Sequence, residues 1–205
     1  MKSLVKSFIV FEGLDGAGTT TQLWRLEAFY KAQGRDAFIT FEPTDNPIGR
    51  LVRSVLQKKA ETTPEALALL YAADRHDHLY NPEYGLVKKA EDGTIVVSDR
   101  YFYSSIAYQS VQCDYDWVTG INQFPSPEAV IFVDTPVDVC MERIGRRGSE
   151  KELFEKASYL EKVRENYIRI FSSLPDEVSL LTVDGRGSVE KIEAEIRAWL
   201  SNLSL

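Results

Sequence analysis

Apolar positions along the chain fall into two rhythms: short unbroken runs and longer stretches with helical spacing. Ser7–Phe11 is a compact apolar run that leads into glycines, and a helical stretch over Thr20–Gln33 follows and stops at Gly34. Asp36–Phe41 is a second run, and a proline-containing turn after it opens a helical segment over Pro47–Gln57. Another helix is predicted over Pro64–Leu79, with Thr63 placed to cap it, because a threonine oxygen accepts a hydrogen bond from a first-turn amide. Thr94–Ser98, Ala129–Val133 and Leu180–Val183 are short, rich in β-branched residues and bounded by turn residues, the pattern of strands buried on both faces. Strands separated by helices imply right-handed crossovers and a parallel sheet covered on both sides. The predicted class is α/β, three layers with a central parallel sheet, and ligands are expected beyond the carboxyl ends of the strands.

A length of 205 residues suits one domain over 1–205. No repeat, low-complexity tract or Pro/Ser-rich linker divides it. With 24 Lys and Arg against 31 Asp and Glu, the formal charge is −7, which disfavours attraction to a nucleic-acid backbone or an anionic membrane. Any phosphate must therefore be met by locally placed basic groups. The apolar part of the first residues, Phe8 to Phe11, is shorter than the core of a signal peptide and runs straight into the glycine-rich loop. No apolar stretch approaches the length of a membrane span. The two cysteines, Cys113 and Cys140, lack CxxC spacing and read as reduced thiols, so the expected compartment is the cytoplasm.

Gly13-Leu14-Asp15-Gly16-Ala17-Gly18-Thr19-Thr20 sits between the first predicted strand and the first predicted helix. Compared with the phosphate-loop pattern GxxxxGK[ST], the glycines and the final hydroxyl are present, but Thr19 stands at the lysine position. Backbone N–H groups in such a loop bind phosphate oxygens whatever the side chains. Gly13, Gly16, Ala17, Gly18, Thr19, Thr20 and Thr21 are the candidate nucleotide-phosphate ligands, with Thr20 offering a hydroxyl to Mg²⁺. A plain tight strand–helix connection is the alternative at this point.

Two further clusters accompany the loop. The Thr94–Ser98 run ends in Asp99-Arg100-Tyr101, an acid suited to Mg²⁺ or its water shell beside a base suited to phosphate; a surface ion pair is the other reading. Tyr71 and Arg75 are four apart on a predicted helix and share a face. That face suits sandwiching and hydrogen-bonding a base, or equally a core tyrosine with a long arginine beside it.

Taken together, FEGLDGAGTTTQ, FEPTDNPIGRLVR, LLYAADR, VVSDRYFYSSIAYQ, ERIGRRG and the Tyr159–Tyr167 stretch resemble thymidylate kinases in order and spacing over nearly the whole chain. The resemblance implies a P-loop kinase fold with a short lid over about 143–154, ATP as donor, Mg²⁺ as cofactor, dTMP as acceptor and a homodimer. It also implies roles position by position. Asp15 corresponds to the carboxylate that contacts the deoxyribose 3′-hydroxyl and organises the phosphates. Tyr71 corresponds to the aromatic stacked on thymine, and Arg75 to the side chain bonded to its O4. Arg53 and Arg100 correspond to ligands of the acceptor phosphate. Ser105, with Ser104 beside it, falls where a polar group faces the pyrimidine edge. Tyr108, followed by Gln109, falls where a tyrosine packs on the sugar and excludes a 2′-hydroxyl. Arg143, Arg146 and Arg147 fall in the lid. Asp15, Arg100, Arg146 and Arg147 form the implied catalytic set, and Thr20 with Asp99 the metal site.

Two positions depart from the family pattern: Phe41 replaces a basic residue before Glu42-Pro43, and Thr19 replaces the loop lysine. Family members carry an extra basic residue either in the loop or in the lid; Gly16 with Arg146-Arg147 matches the second kind. The expected activity is ATP-dependent phosphorylation of dTMP to dTDP. The alternatives are another deoxynucleotide or deoxynucleoside kinase, and a catalytically silent nucleotide-binding relative.

Overall fold

Residues 4–145 and 150–203 are described by a computed structural model, with backbone alone at 150–152. In chain order the elements are β1 (Leu4–Gly13), α1 (Thr19–Ala32), β2 (Ala37–Phe41), α2 (Pro47–Leu56), α3 (Pro64–Tyr80), α4 (Leu86–Glu91), β3 (Ile95–Asp99), α5 (Phe102–Gln109), α6 (Tyr115–Ile121), β4 (Ser126–Asp134), α7 (Val137–Ile144), α8 (Glu150–Phe171), β5 (Ser179–Asp184) and α9 (Val189–Leu200). The five strands form one sheet in the order β2-β3-β1-β4-β5, and every neighbouring pair is parallel. Helices cover both faces, which is the three-layer α/β arrangement the strand–helix alternation predicted. Phe8, Ile9, Val10 and Phe11 of β1, with Val130 and Ile131 of β4, are fully buried. A strand covered on both sides needs apolar residues at consecutive positions, which is why these runs do not alternate.

The sequence reading found all five strands but shortened β1 and β4, whose first residues are less uniformly apolar. It missed α4 to α9, where short length, polar residues or the loop chemistry obscure the helical period. Thr63 does cap α3, its Oγ1 accepting from Ala66 N at 3.2 Å. No described helix is long and apolar enough to cross a membrane.

The topology makes β1 the switch strand. From β1 the chain passes through α1 to β2, returns to β3 beside β1, then crosses to β4 on β1's other side. A crevice opens at the carboxyl ends of such strands. The register pairs Phe11 with Asp99 and Gly13 with Val133, so the loops leaving β1, β3 and β4 emerge together.

Candidate active site

The loop after β1 has the backbone form of an anion cradle. Gly16 and Gly18 stand at φ 82° and 101°, the left-handed region that side chains with a Cβ resist. A Cβ at Gly16 would meet the Cys140 carbonyl oxygen of α7 at 2.8 Å, so the loop has no room for an extra basic side chain there. Gly18 begins α1 with no side-chain cap, leaving first-turn N–H groups to meet an anion. Thr19 is buried; its methyl lies 3.1 Å from where a Cβ on Gly13 would stand, so it packs on the start of the loop.

Two arginines reach this loop from outside. Arg143 of α7 donates to the carbonyls of Gly16 at 3.3 Å and Ala17 at 3.1 Å, and to that of Gly185 after β5 at 2.8 Å. It thereby bridges the phosphate loop and the β5–α9 turn. A cleft beside it is lined by Gly18, Thr21, Gln22, Arg143 and Gly187. Arg100, just beyond β3, donates through Nη2 to Asp15 Oδ1 at 2.6 Å. Arg146 and Arg147 lie outside the described residues.

Thr20 and Asp99, the two candidate metal ligands, lie against each other. Thr20 Oγ1 donates to Asp99 Oδ2 at 2.6 Å, and Asp99 Oδ1 is buried without a hydrogen-bond partner. A hydroxyl and a half-satisfied carboxylate at a phosphate loop are the hard oxygen donors that suit Mg²⁺. The described residues contain no cluster of three or more His, Cys, Asp or Glu that could hold a metal.

On the other side of Arg100 a cavity of about 370 Å³ brings together Asp15, Tyr71, Arg75, Ser105, Tyr108 and Gln109, residues contributed by the β1 loop, α3 and α5. Tyr71 shares the α3 face with Arg75, as the spacing predicted, and burial pushes its phenol up to about 12. Arg75 is buried rather than extended along the surface. Its Nε donates to Glu42 Oε2 at 2.8 Å, Nη1 to Asn122 Oδ1 at 2.5 Å and Nη2 to Ser105 Oγ at 2.9 Å. The Glu42 pairing, at 2.7 Å through Nη2, supplies the opposite charge without which a buried guanidinium is costly. His78 Nδ1 lies 3.1 Å from Glu42 Oε1, so Glu42 is itself held.

The Tyr108 hydroxyl accepts from the Asp15 backbone N–H at 3.0 Å, and the Arg100 guanidinium lies over the Tyr108 ring at 5.0 Å. Gln109 Oε1 is buried and unpartnered. Arg53 of α2 donates to the Pro43 carbonyl and to Asp45; it is not among the residues lining the cavity. Ser104 faces inward, its hydroxyl taken up by Glu12, Arg100 and Tyr167.

Sequence reasoning missed Glu12, Glu42 and Asn122, three buried polar residues that hold the arginines. A charged residue inside the otherwise apolar Phe8–Gly13 run was the available signal for Glu12. Asn122 and Glu42 meet Arg75 only through tertiary folding.

A family model described as "Thymidylate kinase" matches residues 11–196. Among curated relatives, a protein named putative thymidylate kinase from Treponema pallidum is 40% identical over 198 residues, covering 95% of this chain and 94% of the relative. A probable thymidylate kinase from Thermococcus onnurineus is 40% identical over 206 residues, covering 95% and 97%. One from Methanocaldococcus jannaschii is 37% identical over 199 residues, covering 96% of each.

Proposed function

The chain belongs to the thymidylate kinase family, and we infer from that premise which of its residues carry the reaction. The activity is ATP-dependent phosphorylation of dTMP to dTDP. The bond from the γ-phosphorus to the β–γ bridging oxygen breaks, a dTMP phosphate oxygen bonds to that phosphorus, and ADP leaves. Such a transfer needs two phosphates held in line and positive charge around the moving group more than it needs covalent chemistry.

The observation that carries the assignment is the cavity joined to the phosphate loop through Asp15 and Arg100. In this proposal dTMP occupies it, thymine stacks on Tyr71 and accepts at O4 from Arg75, and Ser105 and Gln109 border the pyrimidine. Tyr108 packs against the sugar, and Asp15 receives the 3′-hydroxyl. Arg100 holds the acceptor phosphate with Arg53, which must leave Asp45 to do so. Ser104 contributes by orienting Arg100. The ATP phosphates lie along Gly13 and Gly16–Thr21, with Arg143 beside the donor nucleotide and Arg146 and Arg147 closing over the transferred group. Thr20 and Asp99 would hold Mg²⁺, which when bound neutralises phosphate charge. We assign these parts to one kinase domain spanning 1–205, with a lid over about 143–154, acting as a cytoplasmic homodimer.

Steady-state assays of purified protein with Mg-ATP against a nucleotide panel test this. dTMP should be the preferred acceptor, while thymidine, which lacks a phosphate for Arg100 and Arg53, should be a poor one. Normal dTMP binding without turnover would instead favour the silent-relative reading.

A further inference from the structure

We infer that Glu12 is a positioning residue for Arg100, acting through the hydroxyls of Ser104 and Tyr167. The inference rests on Arg100 being a ligand of the acceptor phosphate.

Glu12 is fully buried, one residue before the end of β1. Its Oε1 accepts from Tyr101 N at 2.9 Å and Ser104 N at 3.3 Å, amides at the start of α5. That half of the carboxylate is a helix cap and would suffice if capping were its whole purpose. Oε2 does something else. It accepts from Ser104 Oγ at 2.5 Å and Tyr167 Oη at 2.9 Å. A hydroxyl whose proton goes to the carboxylate turns its lone pairs outward, and the two oxygens lie 2.8 Å from each other. Arg100 Nη1 donates to those same two oxygens, at 3.0 Å to Ser104 and 3.4 Å to Tyr167.

The guanidinium is thus held at both ends, by this relay at Nη1 and by Asp15 at Nη2. Its backbone is equally determined. Arg100 stands at φ 74°, a left-handed conformation that costs a non-glycine residue about 1–3 kcal/mol and persists only where neighbours enforce it. Here Arg100 N donates to Phe11 O at 2.9 Å, and Ser98 Oγ donates to Arg100 O at 2.7 Å. The strained turn sends the side chain into the lining of the cavity, and the Glu12 relay fixes where its head group stops.

A buried carboxylate is costly, and burial raises Glu12 to about 7, with the Ser104 hydrogen bond, the Arg100 charge and Tyr167 pulling it back. An apolar residue would fill the position at less cost, so a charge facing Arg100 has a reason to be there. The relay draws on β1, α5 and α8 at once, a juxtaposition the fold alone creates.

Steady-state kinetics on Glu12→Gln, Arg100→Ala, the double variant and Tyr167→Phe, each with a thermal melt, test the inference. Glutamine keeps the size but removes the charge and the acceptor at Oε2. Glu12→Gln should lower kcat by about 100-fold, as misplacement of a catalytic group does, with KM for ATP changed less than about twofold. In the Arg100→Ala background the same substitution should cost less than about threefold, because nothing remains to be positioned. Tyr167→Phe removes one of the two bridges and should show a smaller loss with the same dependence on Arg100. Wild-type kcat in Glu12→Gln, or equal losses with and without Arg100, overturns the inference and leaves Glu12 as a helix cap. If Arg100→Ala itself retains full activity, the assignment of Arg100 under the proposed function fails first. Should Glu12→Gln not fold, the Tyr167→Phe pair of backgrounds decides by the same criterion.

Discussion

The guanidinium of Arg53 lies over the ring of Phe41, 5.4 Å from its centroid. Phe41 is one of the two positions that depart from the family pattern, and its ring now has a physical part. A cation at 41 would repel Arg53, whereas an aromatic face attracts it. Phe41 is 40% exposed, so the attraction is worth about 0.5–1 kcal/mol. Phe41→Ala should therefore raise KM for dTMP by about two- to fivefold and leave kcat near wild type. Initial-rate kinetics read this directly; an unchanged KM removes Arg53 from the acceptor site or Phe41 from its support.

Tyr108 makes two separable contributions. Its ring is proposed to exclude a ribose 2′-hydroxyl, while its hydroxyl accepts from the Asp15 amide. Tyr108→Ala should relax the preference for dTMP over the ribose analogue by about 10-fold, since an unaccommodated hydroxyl costs about 1–3 kcal/mol. Tyr108→Phe should keep the preference and lower turnover, because only the support of the loop is lost. The ratio of kcat/KM for the two nucleotides measures the first effect. Full discrimination in both variants would show that another group excludes the ribose.

Thr19 leaves the phosphate loop without its usual lysine charge, and Arg143 is occupied with loop carbonyls. We propose that Arg146 and Arg147 supply the missing charge. Replacing both with alanine should cut kcat by about 10³ or more while dTMP binding is retained, because the acceptor is held elsewhere. Thr19→Lys should partly restore the double variant and help the unaltered protein much less. Near-normal turnover without the two arginines would assign the charge to Mg²⁺ or Arg100.

Glu12 also makes stability depend on pH. Its carboxyl is held at about 7 in the folded protein against an ordinary 4.5, so between these values the native state binds more protons than the unfolded chain. Stability should therefore be fully present below about 4.5 and fall as pH rises to 7, by about 3 kcal/mol from this group. Urea melts from pH 5 to 7.5 should show this slope superimposed on the other carboxylates, and Glu12→Gln should flatten it. A variant with the wild-type slope would mean that Glu12 is ionised throughout.

The five strands, the phosphate loop and the cap at Thr63 were legible in the sequence because each is a local matter. Consecutive apolar residues, glycines that accept positive φ and a hydroxyl before a helix declare themselves within a few residues. Tyr71 and Arg75 were paired by helical spacing alone, and Thr20 and Asp99 by their places at the end of the phosphate loop and at the end of a buried strand. What holds the arginines was not legible. Glu42 and Asn122 lie 33 and 47 residues from Arg75, and Tyr167 lies 155 residues from Glu12. A buried ion is stable only when oppositely charged and hydrogen-bonding groups surround it on several sides. Those groups must come from different elements, so no single stretch of chain records them. Sequence determined where the glycine-rich loop and its hydroxyls lie; the parallel sheet, by bringing the ends of β1 and β3 beside α3, α5 and α8, decided which side chains surround the arginines.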